Sequence, residues 1–411
     1  MASRGTDNLR CYLREATLPP MANDPNAPQM PPAGHKSHQN HLKVRPQSWR
    51  RLENIFSFED KSMAIIVSSW IDAHIPETSL GVEDEDPVTG ERLAVPGPAI
   101  FDIPYQKERR PSDIIRLIPW LDNLPLMTVQ RVVHLLYPAT RRWGFFYCDE
   151  SNNDRNLLQY FMWSLLLPPD EMDPETLAEI GPKSILIAFQ PPWILSDQDI
   201  KEFSECRSFP PFRVPGNAFP TPLESRERLW GKIWDACVAK NTPWFVLTSY
   251  NKWVFGAFSE GWTAAFVTPV YAFDAVCPTV LEWLTFWVAS AMRLRGWRSI
   301  PKVPEPVSLG PVLIPAIHNA NFATPANSES NWEGKSQDAA TSAHARSMSP
   351  VFTDGGLPGL EIRPIHQIVQ EWMQKKVDSN GAAPDIPSRA QSPARNDIFE
   401  QTLTRHGDWL V

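Results

Sequence analysis

Three imidazoles stand three residues apart in His35-Lys36-Ser37-His38-Gln39-Asn40-His41, a spacing that offers nitrogen ligands to a transition metal. A metal site also needs neighbours that fix the rings. The Pro-, Asn- and His-rich residues around this run carry almost no large apolar side chains to supply them, so the expectation is a solvated arm and no bound metal. Lys43, Arg45, Arg50 and Arg51 make the same region locally basic, which suits phosphate or a nuclear-import receptor. Two carboxylate groups, Asp149, Glu150 and Asp154, then Asp170, Glu171, Asp173 and Glu175, have the oxygen donors that Mg²⁺ takes. Both lie where helix ends recruit acidic residues for capping alone. The sequence has no Gly-rich phosphate loop, no G-x-S-x-G elbow and no H-E-x-x-H pair, so nucleotide hydrolysis, serine acyl transfer and zinc proteolysis lose their usual support.

Binding chemistry has better-placed candidates. Gln190-Pro191-Pro192-Trp193 follows an apolar run that reads as a strand, and α/β proteins hold ligands outside the carboxyl ends of such strands. There Gln190 offers a hydrogen bond and Trp193 an aromatic wall, or Trp193 is a lid on the core. Tyr250 and Trp253 invite stacking of bases or sugars, with a core-facing role as the plainer reading. Further along, Ile362, Ile365, Ile368, Val369, Trp372 and Met373 form an amphipathic stripe, with Pro364 near its start and Lys375-Lys376 at its end. A helix over 361–377 must bury that face against a protein partner, through Ile365, Ile368, Val369 and Trp372, or against its own core. Ser349-Pro350 and Ser392-Pro393 are candidate phosphorylation points.

The elements that position these residues follow from composition and period. The chain of 411 residues has 42 prolines, about twice the usual share, and they crowd where periodic apolar residues are missing. Residues 1–47 read as a disordered arm, 301–360 as a disordered linker and 378–411 as a disordered tail. Between them, 48–300 reads as one Trp-rich α/β core: twelve of the 17 tryptophans lie from Trp120 to Trp297, and each ring buries roughly 150–250 Å². Spacing predicts two short helices over 48–75, an exposed acidic loop at 77–98, and helices near 114–118, 129–136 and 155–166. Ser184–Gln190 is the expected central strand, buried on both faces. Ser196 and Asp199 stand at capping-box spacing for a helix starting near Asp197, and Thr221-Pro222 with Glu224 suggests a second. The runs 244–248, 253–259 and 264–271 predict an antiparallel meander, with Gly261 in the left-handed turn position and Pro269 marking an edge strand. A buried helix is expected from near Pro278 to Arg295, closed by Gly296.

A net charge of −8 argues against a surface that wraps nucleic acid, though a local patch remains available. Five scattered cysteines without a Cys-x-x-Cys pair suit a reducing compartment, cytoplasmic or nuclear. No apolar leader and no membrane-spanning run is read, and no cofactor is expected.

The run from Ile187 through Met292, with Ala188-Phe189-Gln190-Pro191-Pro192-Trp193, Trp244-Phe245-Val246-Leu247-Thr248, Trp253–Ser259 and Pro278-Thr279-Val280-Leu281-Glu282, resembles a group of uncharacterised proteins from mushroom-forming fungi. More remotely, its order of strand, helix and strand is similar to degenerate PD-(D/E)XK nuclease-like cores. That resemblance implies an acidic residue and a lysine at the end of the central strand, holding Mg²⁺. The matching place reads Ala188-Phe189-Gln190, with neither. The function expected is therefore a non-catalytic binding or interaction protein. Its rivals are a divergent metal-dependent nuclease using Asp149, Glu150 or Asp154, and an accessory small-molecule binder in a fungal biosynthetic pathway.

Overall fold

A computed structural model describes residues 8–44, 47–77, 85–97, 108–148, 154–167, 174–211, 222–305 and 312. The chain divides into two units, Met1–Phe322 and Ala323–Val411, and all described residues lie in the first. The stripe at 362–373, with Ile365, Ile368, Val369 and Trp372, and the tail after it lie outside the described residues.

The core is one mixed sheet. In chain order its strands are β1 (Asn54–Ser57), β2 (Trp143–Cys148), β3 (Gln159–Leu165), β4 (Ile185–Phe189), β5 (Trp244–Thr248), β6 (Lys252–Phe258), β7 (Ala264–Val267) and β8 (Tyr271–Ala272). They are ordered β1-β7-β6-β5-β4-β3-β2, with β8 also on β6. The pairs β4–β5 and β1–β7 are parallel and the rest antiparallel. Parallel neighbours need a crossover, and the β4–β5 one is built by helices α6 (Asp197–Glu205) and α7 (Ser225–Ala239). The remaining helices are α1 (Leu9–Glu15), α2 (Asp60–His74), α3 (Ile114–Leu121), α4 (Met127–Leu136), α5 (Pro174–Ile180) and α8 (Val280–Ala291).

Alternation along the central strands sorts two cores. Ile185, Ile187, Phe189, Trp244, Val246, Trp253 and Phe255 face the layer containing α1, α2, α3, α4 and α8. Leu186, Ala188, Phe245, Leu247, Val254 and Phe258 face α6 and α7. Because β4 to β6 are covered on both sides, they carry continuous apolar runs instead of an alternating pattern. Trp163, Trp230, Trp234, Trp253, Trp283 and Trp287 are fully buried, so the aromatic richness is core packing. Every residue of α8 is buried, and its start is fixed by a capping box between Thr279 and Glu282.

Several expectations are corrected. Residues 8–44 are not a free arm: α1 buries Leu9, Tyr12 and Leu13, and Tyr12 Oη donates to Val95 O at 2.7 Å. That carbonyl lies in the predicted acidic loop, where Leu93, Ala94 and Val95 are buried as well. Of residues 301–305, expected to start a linker, Glu305 is bonded to the turn between β6 and β7, while Pro301, Lys302 and Pro304 are exposed. Trp49 to Phe56 does not form a helix: Ile55 is buried and Phe56 exposed in β1, and pairing with β7 decides the conformation. The run expected as a helix over 155–166 contains β3. A short, fully buried apolar run has no period to tell the two apart, and its place between β2 and β4 settles it. Helix α7 starts at Ser225, where Glu227 accepts from the Glu224 amide at 2.7 Å, and Thr221 lies outside the described residues. The left-handed turn residue is Trp262 (φ 64°) and not Gly261. Pro269 does not mark an edge, because β1 covers the far side of β7.

One partly buried acid gives the fold a pH signature. Asp122 opens the π-helical turn Asp122–Leu126 between α3 and α4, and burial pushes its carboxyl up to about 6. The folded chain thus keeps a proton that the unfolded chain releases near pH ~4, so this contribution is full below that pH and is lost as pH rises towards ~6. Partial solvent access holds the loss to roughly 1–2 kcal/mol. Asp122→Asn is expected to flatten the urea-midpoint profile between pH ~4 and ~6; an unchanged slope would show that Asp122 titrates normally.

Candidate functional site

The parallel strands β4 and β5 end side by side, and the Gln190 amide donates to Thr248 O at 3.1 Å to extend their pairing by one residue. Here the chain leaves β4 through Pro191-Pro192, and the Ile194 and Leu195 amides both turn back to Pro191 O at 2.8 Å. The N-termini of α6 and α7 point to the same end, which is where backbone amides and the helix dipole favour a ligand with negative character.

That end is filled by the chain's own N-terminal segment. The Ser37 amide donates to Asp199 Oδ2 at 2.9 Å, and Ser37 Oγ to Trp193 O at 2.6 Å. Asp199 also accepts from Ser196, at 2.7 Å from Oγ and 3.2 Å from the amide, so one carboxylate caps α6 and fastens residue 37. Ser225, the first residue of α7, reaches Asp199 Oδ1 at 3.3 Å and receives Asn40 Nδ2 at 3.2 Å. Lys36 pairs with Glu202 at 2.5 Å. Burial opposes ionisation of Glu202, but the hydrogen bonds from Lys36 and Gln198 and the charges of Lys36 and Arg226 together outweigh it and hold the carboxyl below its ordinary value.

All four sequence candidates are gathered at this end, and all four are closed from solvent. Gln190 is 0% exposed; its Nε2 lies 3.5 Å from Asn40 Oδ1, and its Oε1 has no protein partner. Trp193 is 3% exposed and packs in the core below residue 37. Tyr250 holds a left-handed backbone (φ 71°), donates through its hydroxyl to Pro19 O at 2.9 Å and meets the Trp120 ring edge-on at 5.4 Å. Trp253 donates from Nε1 to Tyr250 O at 2.7 Å. The stacking surface expected of Tyr250 and Trp253 is therefore occupied by protein, and their packing is that of core residues.

Neither family model, curated protein nor solved structure matches this chain.

An opening at this end is a cavity of about 350 Å³ between residues 20–35 and the sheet, reached by Pro192, Ser196, Asn251 and Lys252. His35 lines it; His38 and His41 are exposed, and among the described residues no three His, Cys, Asp or Glu side chains gather as a metal site. Of the acidic groups, Asp154 is buried and paired with Lys232 at 2.7 Å, while Asp149, Glu150, Asp170, Glu171 and Asp173 lie outside the described residues. All five cysteines are free thiols. No described helix is long and apolar enough to cross a membrane. Sequence reasoning pointed to this end of the sheet through Gln190 and Trp193 but missed Pro19, Ser37 and Asn40, which pack there. Their only signal is polar side chains in a proline-rich run, the same signal a free arm gives.

Proposed function

We propose that this chain is a non-catalytic interaction protein, working inside the cell through a rigid α/β body that recognises a protein partner. One observation carries the reading: the carboxyl ends of β4 and β5, where an open α/β sheet keeps its ligand, are occupied by Ser37 and Asn40 of the same chain. A metal-dependent nuclease would need carboxylates converging there, and the buried Asp154 is engaged by Lys232 instead. The test is direct. Full-length protein with Mg²⁺ or Mn²⁺ should cleave single- and double-stranded DNA and RNA no faster than a buffer blank. Metal-dependent cleavage that Asp154→Ala abolishes would overturn the reading in favour of the nuclease.

The cavity of about 350 Å³ favours a second reading, an accessory small-molecule binder. There the ligand would meet Pro192 and Ser196 beside Gln190 and Trp193. A melting temperature unmoved by a panel of small metabolites would count against it.

A further inference from the structure

At the opposite end of the sheet, the chain leaving α8 runs back across the core as a strap, residues 298–305. Its Ile300 packs against the first core, and it ends in a bond pattern of unusual density. The Glu305 carboxylate accepts from Ser259 Oγ at 2.5 Å, the Gly261 amide at 2.8 Å, Thr263 Oγ1 at 2.6 Å and the Thr263 amide at 3.3 Å. All four donors belong to one turn, between β6 and β7, so the cradle is a property of the core and not of the strap. A side chain at Gly261 would put its Cβ 2.8 Å from Glu305 Cδ, which explains the glycine that the left-handed position does not require. Burial opposes ionisation of Glu305, but these donors prevail and hold its carboxyl below the ordinary value.

The strap does not fill the space it crosses. A cleft of about 500 Å³ remains between Ser299–Val303 and a wall that includes Trp244, Trp262 and Trp297. Trp297 is 44% exposed, with the Arg293 guanidinium 5.6 Å from its ring centre. Three residues on the rim, Asn241, Trp262 and Arg293, hold left-handed backbones with φ of 51°, 64° and 56°. Such conformations cost energy in non-glycine residues and gather at sites where a ligand is held. An aromatic-walled groove crossed by Pro301-Lys302-Val303-Pro304 has the components of proline-rich peptide recognition.

We propose that the strap is a tethered ligand, and that its cleft accepts in trans an extended peptide of another protein: an apolar residue, a proline directly after it, and a carboxylate five positions on. This rests on the reading of the chain as an interaction protein and names the partner's chemistry. Ile300 supplies the apolar anchor of the template and Glu305 the acidic one. The strap sets a threshold, because a tethered segment competes at about millimolar effective concentration.

The probe is a fluorescein-labelled, amidated peptide with the sequence of residues 298–305, titrated by anisotropy into the full-length chain. Glu305→Ala is expected to bind it at least ten-fold more tightly than wild type. A probe with glutamine in place of its glutamate should lose at least ten-fold. Adding Gly261→Ala to Glu305→Ala should remove binding. Equal affinity for wild type and Glu305→Ala, or for the single and double variants, overturns the proposal. If Glu305→Ala fails to fold, Glu305→Gln takes its place in the same titration, and equal affinity for wild type and Glu305→Gln overturns the proposal. A wild-type dimer that the peptide dissociates would make a second copy the occupant and also overturn it. Failure with the peptide leaves the cleavage assay unaffected, and cleavage leaves the peptide result unaffected, so the two readings fail separately.

Discussion

Tyr12→Ala is expected to lower the unfolding free energy by about 3–5 kcal/mol, the range for removing a fully buried aromatic ring. Composition gives the opposite expectation, since residues 1–47 carry the proline and asparagine of a free arm, where the same change would cost almost nothing. The difference arises because a few apolar residues suffice when a preformed core receives them. Tyr12 is 0% exposed in α1, alongside Leu9 and Leu13, and its hydroxyl satisfies Val95 O. The short helix is held at both ends: Asn8 caps it, Arg10 Nε donates to Ile75 O at 2.7 Å, and Thr279 Oγ1 donates to Leu13 O at 2.6 Å. Tyr12→Phe keeps the ring and leaves one buried carbonyl without its donor, for about 1–2 kcal/mol. Urea midpoints with an unchanged denaturant slope measure both. A Tyr12→Ala shift below about 1 kcal/mol would mean that α1 does not belong to the core.

The second large effect is expected at Gly256→Ala, at about 3 kcal/mol, the upper range for overpacking. Gly256 stands opposite Phe245 in the β5–β6 register, and the Phe245 ring lies flat across it: an added Cβ would meet Phe245 Cζ at 2.1 Å. That ring cannot retreat, because Trp230, Phe258 and Phe203 surround it with ring centres 5.6, 5.1 and 6.4 Å away. The test of cause is the double variant. Removing the ring in Phe245→Ala/Gly256→Ala should give a loss smaller than the sum of the singles by about 1–3 kcal/mol. Additive losses would place the strain elsewhere.

The same residues show where the sequence was legible. The strand at 184–190 could be read because it is short, apolar on both faces and bounded by Gly-Pro and Pro-Pro, signals that act within a few residues. The start of α6 was legible for the same reason, since Ser196 with Asp199 is a local bond pattern found as expected; α8, expected from near Pro278, starts at a further box between Thr279 and Glu282 that the sequence reading did not single out. Strand β3 was not legible as a strand, because Tyr160, Phe161, Met162 and Trp163 are all buried, and a run without polar punctuation carries no period. Strand β1 was lost because its partner β7 lies some two hundred residues away, and that pairing overrode local spacing. At the candidate site, the location followed from Gln190 and Trp193. Its closure did not: the bonds from Ser37 to Asp199 and from Tyr250 to Pro19 span 162 and 231 residues, and neither partner's type announces the other.

The N-terminal segment is built into the sheet end and closes it. Amide hydrogen exchange on the full-length protein tests this most directly. The Ser37 amide, bonded to Asp199, and the Tyr12 and Ala16 amides of α1 should be protected at least a hundred-fold over the unstructured rate, an opening cost of about 3 kcal/mol. Exchange at the unstructured rate throughout 8–44, with β4 and β5 still protected, would contradict the account and leave the ends of those strands open to a ligand.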